Sequence, residues 1–142
     1  MATSADGRAQ PGTFAQRTIT VVTLLAGLSF VVAGAWAFFA PESFYNNVAT
    51  YEPYNRHLLH DVGAFQVGIG AALLAALLWS DGLFVALVGA TAAAVVHEVS
   101  HIIDHGLGGR ISDPWWLGLQ AALLLAALGF RFRYRGRARG RP

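Results

Sequence analysis

The sequence predicts an all-α integral membrane protein, a bundle of four transmembrane helices with both termini cytoplasmic. Three observations carry that expectation. Hydrophobic residues make up 55% of the chain and charged residues 13%, about half the charged share of a typical soluble domain. The hydrophobic residues gather into four runs, at 19–40, 62–79, 83–103 and 115–130. All ten basic residues are arginines, and six of them follow the last run, between Arg131 and Arg141. The 142 residues suffice for one domain, read as an N-terminal tail (1–16), a transmembrane domain (17–130) and a basic C-terminal tail (131–142).

A helix rises 1.5 Å per residue, so roughly 20 apolar residues cross the hydrocarbon core. The first and third runs meet that length. The second and fourth fall slightly short and are expected to gain a turn from their flanks. The first run is expected to remain as a helix, because it is long and Phe38-Phe39-Ala40-Pro41 is a poor signal-peptidase site. Only Ser80-Asp81-Gly82 separates the second run from the third, so these two should be antiparallel neighbours. The fourth helix is expected to start at Asp113-Pro114, with Asp113 as N-cap and Pro114 at the first position.

Arginine sets the orientation. Arg8 and Arg17 precede the first run and the Arg131–Arg141 tail follows the last, so an even number of spans puts both ends inside. The tail is expected to touch lipid headgroups and not nucleic acid. Loops 41–59 and 106–114 then face outward. Their arginines, Arg56 and Arg110, should pair with Glu42, Glu52 or Asp113. The expected location is a bacterial inner (plasma) membrane, crossed several times, and the expected partners are lipid, with a homo-oligomer or a larger membrane complex in addition. There is no cysteine, which removes both disulfides and thiolate metal ligands.

All five histidines fall in two short stretches: His57 and His60 before the second run, His97, His101 and His105 at the end of the third. Acids accompany them, Asp61 in the first stretch, Glu98 and Asp104 in the second. Such groups are costly to bury in a membrane and need partners, an ion or a wet pocket. The predicted topology brings both stretches to the outer face. At about 100° per residue, His97, His101 and Asp104 share a stripe, with Glu98 and His105 at its edge; His57 and Asp61 share another. The pairs His97/His101 and His101/His105 each offer two imidazoles to one ion. Zinc, iron, copper and manganese all suit these donors. The expected metal ligands are therefore His57, His60, Asp61, His97, His101, Asp104 and His105, with ligand atoms about 3–4 Å apart. The bland alternative is a set of polar groups bonded to one another at a wet helix end.

His97-Glu98-Val99-Ser100-His101 also has the letters of H-E-x-x-H. In zinc peptidases that spacing places two ligands and a general base on one helix, and Glu98 would be the catalytic residue here. A four-helix chain leaves little room for a peptide cleft, so some other metal-dependent hydrolase or oxidase fits better. Tyr45, Tyr51 and Tyr54 in the first outer loop would either cover the histidines as a lid or join Trp115 and Trp116 in an interfacial belt. Gln66 and Gln120 are expected to bond between helices, and Gly63, Gly68, Gly70, Gly82 and Gly89 to permit close helix packing.

Ser43-Phe44-Tyr45, the run from Pro53 to Gln66, and the region from His97 to Trp116 resemble a group of small four-helix bacterial integral membrane proteins. The layout is similar to that of DoxX-like membrane proteins. The resemblance implies a four-helix membrane fold and carries over no reaction or site residue. Two readings follow: a metal-binding membrane protein, with a metal-dependent enzyme as one form of it, or a non-catalytic membrane subunit or partner protein with a structural histidine cluster.

Overall fold

The computed structural model describes residues 13–79 and 82–139, with side chains over 14–79 and 82–133. The tail segment 1–12, Ser80-Asp81 of the tight turn and residues 140–142 lie outside the described residues. The described chain is helical: α1 (Thr13–Phe39), α2 (Pro41–Asn47), α3 (Arg56–Leu78), α4 (Leu83–Ile103) and α5 (Asp113–Arg139). α1, α3, α4 and α5 each contain a stretch long and apolar enough to cross a membrane. Their outward surfaces are apolar as well. Phe65 is 75% exposed, Val85 69% and Val96 68%, a distribution suited to lipid and costly in water.

The four long helices form a ring. α1 packs on α3 and α5, and α4 on α5 and α3. Their main core joins Val22, Ala26 and Phe30 of α1 to Leu73 of α3, Leu87, Ala90 and Ala94 of α4, and Ala121, Leu124 and Ala127 of α5. A smaller cluster, Ala37, Phe44 and Leu59, seats α2 on the end of the bundle. The tightest seam is α1 against α3, and glycine makes it possible. A Cβ at Gly70 would lie 2.6 Å from the Gly27 carbonyl oxygen, and one at Gly34 2.7 Å from that of Gly63. The pairs Gly27/Gly70 and Gly34/Gly63 recur seven residues apart on both helices, so the two backbones touch along one stripe. Gly63 and Gly70 thus have the packing role expected of them. Gly68 and Gly89 do not, since a Cβ on either meets open space.

Three local features differ from the sequence reading. The segment after the first span holds a helix, α2, opened by Pro41 in the first turn with Glu42 beside it. Trp36 ties it down, through Nε1–H donating to Ser43 Oγ at 3.2 Å and an edge contact with Phe44. α3, by contrast, gains the turn expected from its flank: it starts at Arg56, where Asn55 Oδ1 caps it by accepting from the Leu58 N–H at 3.1 Å. α5 begins differently: its first turn hangs on the Ser112 carbonyl, while Asp113 turns back to accept the Arg110 main-chain N–H at 2.7 Å. Asp113 is therefore not the forward-facing N-cap. α5 also runs on to Arg139, through most of the segment read as a basic tail.

Candidate functional site

Because α3 and α4 are antiparallel, all five histidines lie at the α2 end of the bundle, but they do not gather into one group. The glycine stripe fixes the rotation of α3. His60, three residues before Gly63, is carried towards α1, where its ring lies 5.0 Å from that of Phe38. His57 points away from the bundle, its side chain 86% exposed, with Nε2 3.5 Å from Asp61 Oδ2. His105 lies past the end of α4, and its Nδ1–H donates to the Ile102 carbonyl at 3.3 Å. The seven expected ligands thus divide among several environments. Among the described residues, no three His, Asp or Glu side chains gather as a metal ion would require. His57 and His60 therefore do not join His97 and His101 in a three-ligand group among the described residues; the packing of Gly63 and Gly70 on α1, which the periodicity of α3 alone does not contain, sets where the first stretch points.

His97 and His101 do come together. One helical turn apart on α4, they place Nε2 against Nε2 at 3.2 Å, with ring centroids 4.9 Å apart. Both line a cavity of about 750 Å³ in the α2 half of the bundle. Its walls are apolar: Val22, Leu25, Ala26 and Phe30 of α1 face Leu119 and Leu123 of α5. Small residues on α1, Ala26, Ser29 and Ala33, leave the space that larger ones would fill. One end is polar, with His97, Ser100, His101, Asp104 and Asp113 around it. Gln66 reaches the cavity from α3, and Gln120 lines it while donating from Nε2 to Ser29 Oγ at 2.9 Å, a bond that joins α5 to α1.

A two-loop lid closes the polar end. Thr50 accepts the Gly109 N–H at 2.7 Å, and Tyr51 pairs with Gly108 in an isolated antiparallel bridge. Both glycines have positive φ, 145° and 81°, a region that side chains disfavour. A Cβ on Gly108 would also lie 2.5 Å from the Thr50 oxygen. The tyrosines brace this lid. Tyr51 lines the cavity and meets Tyr45 edge to face at 5.6 Å; Tyr54 meets Tyr45 at 5.0 Å. Tyr45 donates to Glu52 Oε1 at 2.9 Å, and that hydrogen bond raises its pKa above the ordinary tyrosine value. Burial raises that of Tyr51. Trp115 is 80% exposed.

Glu98 is turned elsewhere. It is half-buried on the α5 side of α4, where a Cβ on Gly118 would lie 3.4 Å from Oε1, and its Oε2 is buried without a hydrogen-bond partner. It does not line the cavity, so the H-E-x-x-H spacing does not aim a general base at the space beside the two imidazoles. Asp113, expected as a cap, lines the polar end instead, its Oδ2 held by the Arg110 main-chain N–H. Comparison of the chain with protein-family models, curated proteins and solved structures finds no match, so the site is read from its own geometry.

Proposed function

We propose that the protein binds a neutral amphipathic small molecule inside the membrane, its apolar chain between α1 and α5 and its polar head beside His97 and His101. The observation behind this is one cavity with an apolar length and a polar end. Its volume falls within the range of about 300–1,000 Å³ common to small-molecule sites. The imidazoles offer both a donor and an acceptor. Asp104 and Asp113 at the same end disfavour an anionic head by like-charge repulsion, and the donor and acceptor capacity of the imidazoles suits hydroxyl or carbonyl groups. The placement of Glu98 off the cavity favours binding over hydrolysis. The arginine distribution supports a polar end on the outer side of a bacterial inner membrane, with the α5 extension inside.

The test uses protein in phosphatidylcholine nanodiscs, with 1-monoolein and oleate as probes and native mass spectrometry as readout. One monoolein should be retained per protein, oleate should bind at least tenfold more weakly, and Leu123→Trp should abolish retention by filling the apolar wall. Equal retention of both probes, or full retention by Leu123→Trp, would contradict the proposal.

A further inference from the structure

We infer that His97 and His101 form a two-imidazole half-site for one divalent first-row transition ion, with its remaining coordination positions open to the cavity. The inference goes beyond the amphiphile reading and holds whether or not the apolar wall is filled. Its basis is the direction of the two rings. Histidines one turn apart on a helix can turn their Nε2 atoms apart, yet here these face each other at 3.2 Å. With metal–nitrogen bonds of about 2.0–2.1 Å, that separation subtends an angle of about 100° at a shared ion, near the tetrahedral value. An α4 helix held in the core by Leu87, Ala90 and Ala94 fixes the spacing before any ion arrives.

The surroundings suit a cation. Asp104 and Asp113 line the same end of the cavity and add negative charge. Asp113 Oδ2 lies where it would contact a Cβ on Gly109 at 2.9 Å, and the His101 ring lies 3.9 Å from the same point. The carboxylate and the ring thus flank Gly109 from the same end of the cavity, without a three-ligand set among the described residues. Two nitrogen donors select copper, nickel, cobalt or zinc over magnesium and calcium, which require oxygen. Water or the head of a bound molecule supplies the other donors. The rival account of the 3.2 Å contact is a hydrogen bond in which one neutral imidazole donates to the other.

Cu²⁺ separates the two, being the tightest binder among the divalent ions of the series. Untagged protein in detergent at neutral pH is titrated with Cu²⁺ by equilibrium dialysis, and the bound ion is examined by electron paramagnetic resonance. One ion should bind with the hyperfine pattern of two imidazole nitrogens. Affinity should fall at least tenfold in His101→Ala and in His101→Gln, which retains a hydrogen-bonding group, and should be unchanged in His57→Ala. For a readout without substitution, bound Cu²⁺ should protect the peptide carrying His97 and His101 from diethyl pyrocarbonate while that carrying His57 and His60 is still modified. A loss under tenfold in both His101 variants, or equal modification of the two peptides, would overturn the inference. Monoolein retention is measured separately, so failure of one proposal leaves the other standing.

Discussion

Gly70→Ala should be among the most damaging single-methyl additions in this protein. The added Cβ would sit 2.6 Å from the Gly27 carbonyl oxygen, 2.7 Å from a Val31 methyl and 2.8 Å from the Val31 nitrogen. Ordinary contact begins at 3.4 Å, so α1 and α3 would have to separate by about 0.8 Å along their closest seam, an overpacking of the kind that costs roughly 1–3 kcal/mol. Two of the three obstacles are backbone atoms and cannot move aside by changing rotamer, which places the cost near the upper end. Gly34→Ala and Gly63→Ala should behave alike, each meeting backbone at 2.7 Å. Gly27→Ala should cost less, because the nearest atoms belong to the flexible Leu74 side chain at 2.9 Å. Gly68→Ala and Gly89→Ala meet nothing within 4 Å and should be neutral, or stabilising by up to about 1 kcal/mol through helix propensity. Unfolding of the purified variants in dodecyl sulfate gives the ranking. Gly70→Ala and Gly68→Ala unfolding at the same detergent fraction would refute the backbone-contact account of the α1/α3 seam.

Two further outcomes are expected. Because the folded pKa of Tyr45 is raised by its bond to Glu52, that bond contributes stability fully present below the unfolded tyrosine value and lost as pH rises through the folded one. Alkaline difference absorbance should therefore show delayed ionisation, and Tyr45→Phe should remove one delayed group. A cysteine at exposed Asn47 should react with an impermeant maleimide on intact cells; reaction only after permeabilisation would invert the proposed orientation.

The four spans were legible because hydrophobic runs of helical length have few other uses, and the antiparallel pairing of the second and third followed from a three-residue turn. What one-dimensional patterning lacked was rotation. His57 and Asp61 form a stripe on an isolated α3, but the contacts of Gly63 and Gly70 with α1 decide where it points, and that depends on Gly27 and Gly34, which no periodicity singled out. On α4 the stripe reading succeeded for His97, His101 and Asp104, all of which line the cavity. α2 had a readable signal in Pro41 followed by Glu42, a helix start hidden among polar loop residues. The role of Asp113 was out of reach, since its side chain is held back by the Arg110 main-chain N–H instead of capping α5. Gln120 met its expectation by bonding to α1, whereas the cavity beside it exists only through small α1 residues facing a helix ninety residues away in sequence.

Photolabelling tests the central claim, the amphiphile-binding cavity, most directly. Protein in nanodiscs is irradiated with a monoacylglycerol carrying a diazirine near the end of its chain, and labelled residues are mapped with and without excess 1-monoolein. The account predicts competed labelling at Val22 and Phe30, buried residues of the cavity wall, beside uncompeted labelling at outward-facing Phe65 and Val85. Labelling confined to the outward-facing positions, or cavity labelling that excess monoolein leaves unchanged, would contradict it.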